Sequence, residues 1–120
     1  MNVEEFREYC LSKKGVTESF PFDDVTLVFK VMGKIFTICG LERLPPQANL
    51  KCDPERAVAL REEYDGLILP GYHMSKIHWN TVLIDSNLPY NLLLELIDHS
   101  YDLIVSKLPK KVQEELNSLG

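Results

Sequence analysis

The chain has 120 residues and a formal net charge of −5, with 18 acidic side chains against 13 lysines and arginines. Hydrophobic residues make up 45% of it and charged residues 26%, which excludes an intrinsically disordered chain and predicts one compact domain over residues 1–120. The acidic balance also excludes a protein that attracts nucleic acid through an overall basic field, so such an interface would need a local basic patch.

The N-terminus and the cysteines favour a cytoplasmic protein that does not enter a membrane. Residues 1–5 lack the basic and apolar regions of a signal peptide, and no apolar run approaches the roughly 20 residues that span a bilayer. Cys10, Cys39 and Cys52 are odd in number, widely spaced and without a CxxC motif, which fits a reducing compartment. We therefore expect a soluble, cytoplasmic monomer.

The first half of the chain predicts a helix followed by three strands. Asn2 can cap a helix over residues 2–14, and Gly15 ends it. Alternating apolar residues predict strands over the segments 26–32, 34–40 and 47–52. Gly33 supplies the positive φ that a tight hairpin between the first two strands requires.

The second half predicts a helix, two strands and two further helices. Asp53 caps a helix that begins with Pro54 and runs to about Tyr64. Strands are predicted over 67–69 and 76–85. A long helix follows, capped by Ser86 or Asn87, and it ends before Pro109, which separates it from a last helix over 110–119.

The order of these elements, α-β-β-β-α-β-β-α-α, predicts an α+β fold. Short connections between strands favour an antiparallel sheet, here of about five strands. Helices of this length would cover one face and complete a two-layer sandwich. The second face of the sheet would then stay largely open.

Strand alternation predicts that this open face is basic. No Asp or Glu occurs from Gly66 to Ile84, whereas the helical segments are rich in acids. The side chains assigned to the open face and its rim are Lys30, Asn49, Lys51, His73, Lys76, His78 and Asn80. Lysines on sheet surfaces often only discourage aggregation, and this reading is favoured for Lys30 and for Lys34, each taken singly. The grouped cations, imidazoles and amides instead favour a ligand-facing role, while Trp79 is assigned to the core.

The sequence predicts no metal site, no cofactor and no catalytic residues. His73 and His78 lie five residues apart without a nearby carboxylate, an unsuitable pattern for a metal. A nucleophile would require Cys52 to meet His78, but Cys52 is expected to point into the core. Phosphate-binding and nucleophile-elbow glycine motifs are also missing from the sequence. A binding role is therefore favoured over an enzymatic one.

Short motifs spread over nearly the whole chain carry a family resemblance. They are Phe20-Pro21-Phe22, Val28-Phe29-Lys30, Asn49-Leu50-Lys51-Cys52-Asp53-Pro54-Glu55, Pro70-Gly71-Tyr72-His73-Met74, Lys76, His78-Trp79-Asn80-Thr81-Val82, Ser100-Tyr101-Asp102-Leu103 and Lys107-Leu108-Pro109-Lys110-Lys111. In these the chain resembles the MmcQ/YjbR family. The resemblance implies a CyaY/frataxin-like fold, a "double-wing" description and a DNA-binding role.

Two functions follow from the predicted basic face. The first is a nucleic-acid-binding module that contacts backbone phosphates without reading sequence. The contacts would come from Lys30, Lys51, His73, Lys76 and His78. The second is a pocket for a small anionic ligand or for an acidic segment of a protein partner, with Tyr72 and Trp79 as walls. An enzyme is a third hypothesis, for which no nucleophile–base pair is evident.

Overall fold

The computed structural model describes residues 1–119, which form six strands and four helices. The helices are α1 (Val3–Leu11), α2 (Pro54–Glu63), α3 (Tyr90–Ser106) and α4 (Lys110–Asn117). The strands are β1 (Val16–Ser19), β2 (Thr26–Val31), β3 (Lys34–Gly40), β4 (Gln47–Lys51), β5 (Ile68–Pro70) and β6 (Trp79–Leu83). Of these helices, none is long and apolar enough to cross a membrane.

All six strands belong to one antiparallel sheet with the order β1-β2-β3-β4-β6-β5. The predicted α+β architecture is confirmed, but the prediction of about five strands is wrong. The missing strand is β1, which pairs with β2 and carries Glu18 in an ion pair with Arg7 of α1. Its four residues, half of them exposed, are too short and too polar to show a strand pattern in the sequence.

Helices α1, α2 and α3 pack against the sheet, and the core lies between the two layers. Phe6 of α1 meets Phe29 of β2 edge-to-face, with the ring centres 6.0 Å apart. Ser100 of α3 is fully buried and bonds to two strands. Its Oγ donates to the carbonyl of Phe36 at 2.6 Å and accepts from the backbone N–H of Lys51 at 2.9 Å. This hydroxyl therefore links α3 to both β3 and β4.

The faces of β6 are the reverse of those predicted. Val82 and Ile84 are 1% and 0% exposed, so they point into the core, and alternation places Asn80 beside them. Asn80 pairs with the buried Leu50 of β4. Trp79 and Thr81 consequently lie on the helix-free face, and the assignment of Trp79 to the core is wrong. The apolar Val82 and Ile84 were the signal in the sequence that decides the orientation.

The helix and turn signals were mostly sound. Asn2 forms a capping box with Glu5, and Asp53 accepts from the N–H of Arg56 at the start of α2. Gly33 has a φ of 84°, as the hairpin required. Two boundaries differ from the prediction by three residues: α1 ends at Leu11 rather than near residue 14, and β6 begins at residue 79 rather than 76.

The predicted cap of α3 is wrong. Pro89 occupies the N-cap position, and no side chain caps this helix. The hydroxyl of Ser86 instead donates to the carbonyl of Leu83 at 2.7 Å and accepts from the N–H of Leu88 at 3.3 Å. It therefore stabilises the turn that precedes the helix rather than the helix itself.

Candidate functional site

The helix-free face of the sheet is partly covered by loops, which enclose a cavity of about 380 Å³. We call it the loop-roofed cavity. Its floor includes Ile35 and Ile38 of β3 and Asn49 of β4. Its walls come from three loops, represented by Phe22 (between β1 and β2), Arg43 (between β3 and β4) and Tyr72, His73 and Met74 (between β5 and β6). The space is therefore bounded by segments far apart in sequence.

A hydrogen-bond network holds the β5–β6 loop over the sheet. The backbone N–H of Tyr72 donates to Oγ1 of Thr81 at 2.9 Å, and its carbonyl accepts from Nδ2 of Asn49 at 3.0 Å. Thr81 completes the network by donating to Oδ1 of Asn49. The amide of Asn49 is thus engaged at both ends. It supports the cavity wall rather than offering free donors to a ligand.

Three planar groups are in contact at the mouth of the cavity, with the Tyr72 and His73 rings inclined at 55° to each other. The guanidinium carbon of Arg43 lies 3.9 Å from the centre of the Tyr72 ring, within the range of a cation–π contact. On the same loop, the Tyr72 and His73 ring centres are 4.0 Å apart. Tyr72 is 48% exposed, so a flat ligand can reach its ring. Arg43 forms no ion pair within residues 1–119, which leaves its charge available.

The far end of the β5–β6 loop is tied to the helical side of the molecule. Arg61 of α2 donates from Nε to Oδ1 of Asn80 at 2.7 Å and also bonds to the carbonyl of Lys76. Nζ of Lys76 in turn donates to the carbonyl of Gly71 at 3.0 Å. One N–H donor of the Lys76 ammonium group therefore helps to close the loop.

The seven residues predicted to share one basic face are in fact separated. Asn49 and His73 line the loop-roofed cavity, whereas Lys51 and His78 line a second cleft at the end of β4. Lys30 pairs with Ile35 on the helix-free face, two strands away from β4. The placement of Asn80 on the open face is wrong, because its side chain is 2% exposed and points toward α2.

The sequence signals missed Arg43 and Phe22, the groups that most define the cavity. Arg43 lies just before Leu44 and two prolines, in a segment without periodicity. The loop that contains Phe22 has two readings in the sequence, a core plug or an exposed contact, and the plug is the favoured one. Phe22 is instead 67% exposed at the mouth. That Phe22, Arg43 and Tyr72 line one cavity depends on the strand order, which no local pattern reveals.

Cys52 is poorly suited to act as a nucleophile with His78. Cys52 is buried, and burial raises the pKa of its thiol to about 11, so a reactive thiolate is scarce at neutral pH. Its contact with His78 runs between backbone atoms, from the N–H of Cys52 to the carbonyl of His78 at 2.8 Å. Within residues 1–119 no three metal-ligating side chains cluster.

Comparison with known proteins identifies the family. The model of the YjbR family matches residues 11–103. The chain belongs to the YjbR family. It is similar to the uncharacterized protein YjbR of Escherichia coli K12, with 32% identity over 119 residues that cover 99% of this chain and 100% of that protein. The uncharacterized protein YbdF of Escherichia coli O157:H7 is 38% identical over 113 residues, covering 94% of this chain and 92% of the relative.

Solved structures of similar proteins share the fold. The crystal structure of the Deinococcus radiodurans protein DR2400, a DUF419 domain, matches with a TM-score of 0.91 and 39% identity, over 97% of this chain and 88% of that one. A crystal structure from Pseudomonas syringae matches with a TM-score of 0.74 and 27% identity, over 86% of this chain and 98% of that one. The resemblance to the MmcQ/YjbR family is therefore confirmed.

Proposed function

We propose that this YjbR-family protein is a non-enzymatic binding module whose loop-roofed cavity takes a small anionic ligand with a flat, apolar body. The observation that carries this proposal is the contact of Arg43, Tyr72 and His73 at the mouth of a mostly apolar cavity. A volume of about 380 Å³ suits a ligand of roughly nucleotide size. A ring would lie on Tyr72 while the Arg43 guanidinium meets the negative group.

The cavity also offers a polar group that can recognise the edge of such a ring. Gln47 lines it, and the side-chain amide of Gln47 makes no hydrogen bond to residues 1–119. A free amide provides both a donor and an acceptor. Because Asn49 and Thr81 already satisfy each other, Gln47 and Arg43 are the groups expected to select the ligand.

Screening by thermal shift tests the proposal. The panel contains nucleotides, sugar phosphates, aromatic carboxylates and an acidic peptide, the last to detect the alternative of a partner protein's acidic segment. A compound that stabilises the wild type should bind roughly tenfold more weakly to Arg43→Gln and about fivefold more weakly to Tyr72→Leu. Lys34→Gln, which removes one exposed charge outside the cavity, is the matched control. Silence across the panel, or equal losses in Arg43→Gln and Lys34→Gln, contradicts the proposal.

Nucleic-acid binding is the second candidate function. It is supported by Lys30 and Lys51, which form no ion pair within residues 1–119, and by the exposed rings of Phe22 and Tyr72, on which bases can stack. The division of the cations among separate places makes it the weaker candidate. The family resemblance, with its double-wing and CyaY-like descriptions, also implies this function. The free thiols fit a protein that acts in the cytoplasm.

A salt titration tests this second candidate. Binding of single-stranded and duplex DNA should weaken steeply as salt rises, because phosphate contacts release counterions. Lys30→Gln and Lys51→Gln should each reduce the salt dependence by about one ion. Absence of binding at low salt, or affinity that does not change with salt, excludes it.

A further inference from the structure

A second cleft, of about 560 Å³, lies at the end of β4 and outside the loop-roofed cavity. Three cationic or protonatable side chains from three different elements line it. Lys51 comes from the end of β4, His78 from the end of the β5–β6 loop, and Lys107 from the C-terminal end of α3. We call it the cationic cleft. Lys107 is more than 50 positions away from Lys51, so only the fold brings them together.

The cations of this cleft form no ion pair with another part of the protein. The ion pairs within residues 1–119 are Arg7–Glu18, Lys13–Asp98 and Arg56–Glu95. Within the same described part of the chain, the side chains of Lys51, His78 and Lys107 accept or donate no hydrogen bond. One carboxylate, that of Asp53, also lines the cleft, but it accepts from the N–H of Arg56 as the cap of α2. Lys51, His78 and Lys107 are therefore available to a ligand.

The backbone that carries these side chains is held in place before any ligand arrives. The N–H of Cys52 donates to the carbonyl of His78 at 2.8 Å, which joins the two segments. The N–H of Lys51 donates to the buried hydroxyl of Ser100 at 2.9 Å, which joins β4 to α3. Lys107 is the C-cap of α3, where its charge complements the helix dipole. Only side-chain torsions therefore need to be fixed on binding.

We propose that the cationic cleft is a binding site for a phosphate group, held by Lys51, Lys107 and His78. Two ammonium groups and an imidazole approach from separate elements, an arrangement that suits the several oxygens of a phosphate. Two sources share this chemistry: a free small phosphate and the backbone of a nucleic acid. The site does not depend on the ligand proposed for the loop-roofed cavity, because the two share no lining residue.

The test is an NMR titration of the whole protein with inorganic phosphate at pH 7, at constant ionic strength. We expect saturable shifts of the backbone amides of Lys51, Cys52, His78 and Lys107. The apparent Kd should rise about two- to fivefold in Lys107→Gln. Lys110→Gln is the matched control, because it removes the same charge three residues further on, at an exposed position outside the cleft. The spectra themselves report whether each variant is folded.

A second titration, with a short oligothymidylate, distinguishes the sources. Saturable shifts with inorganic phosphate identify a site for a free phosphate group. Shifts with the oligonucleotide alone, at the same amides and weakened by Lys107→Gln, identify backbone phosphate as the ligand. The proposal is overturned if neither probe shifts these amides, or if Lys107→Gln and Lys110→Gln respond alike. A negative thermal-shift screen of the loop-roofed cavity does not change the conclusion from either titration, because the two sites share no lining residue.

Discussion

Arg61 of α2 and Asn80 of β6 form a hydrogen bond of 2.7 Å, from Nε to Oδ1, on the helix-covered face of the sheet. The sequence had placed Asn80 on the opposite, open face. The amide of Asn80 also donates to the carbonyl of Ala57 at 3.3 Å. A side chain that had been assigned to the ligand is therefore part of the packing between α2 and the sheet. Its polar atoms are satisfied by the protein alone.

Asn80→Ala should destabilise the fold by about 1–3 kcal/mol, because Arg61 and the Ala57 carbonyl lose their partner in a buried place. Urea unfolding monitored by circular dichroism measures the loss. Asn91→Ala, an exposed position of α3, is the control and should change the free energy of unfolding by no more than about 0.5 kcal/mol. A neutral Asn80→Ala would show that the amide is not a structural link.

Ser100→Ala should lower the free energy of unfolding by about 2–4 kcal/mol, because it removes the hydroxyl that bonds to both the Phe36 carbonyl and the Lys51 N–H. The matched control is Ser106→Ala, whose hydroxyl is exposed and bonds only within α3. Equilibrium unfolding of the two variants should separate them clearly. Equal stabilities would mean that water replaces the Ser100 hydroxyl without loss.

Stability at high pH should depend on Tyr9. Burial, and then the hydrogen bond to Asp98, raise the pKa of Tyr9 to about 12 from an ordinary value near 10. Because the folded state favours the neutral phenol, this contribution is complete below pH ~10 and is lost as the pH rises towards ~12. The temperature of thermal unfolding should therefore fall more steeply with pH over this window in wild type than in Tyr9→Phe. Tyr90→Phe, at an exposed position, should follow the wild type.

Anion binding in the cationic cleft should strengthen as the pH falls from about 8 to 6, because an ordinary imidazole becomes charged in this range. Lys51, Lys107 and Asp53 are the other charged groups that line the cleft. Sulfate is the probe, since its own charge stays constant over these pH values. We expect the affinity to rise about two- to fivefold in wild type.

The pH dependence should be largely lost in His78→Gln. His73→Gln is the comparison, because His73 lies in the other cavity and should leave the response intact. Both variants are followed by the same NMR titration. Equal pH dependence in wild type and His78→Gln would return His78 to a purely structural role.

Local signals in the sequence predicted the elements that local physics decides. The caps of α1 and α2, the Gly33 turn and the α+β architecture were all visible in the order of residues. The faces of β6 were predicted the wrong way round, because apolar residues occur on both sides of the strand and Val82 and Ile84, not Trp79, face the core. The candidate sites were the least accessible, since Arg43 reaches Tyr72, and Lys107 reaches the end of β4, only through tertiary topology.

The sheet has the packed core on one face and the proposed binding site on the other. The core residues point toward the helices, whereas Arg43, Tyr72 and His73 lie in loops over the other face. Substitutions in these loops can thus change the ligand without removing an apolar contact from the core. If the loop-roofed cavity binds a ligand as proposed, relatives that share this scaffold can differ in what they bind without any change to the core.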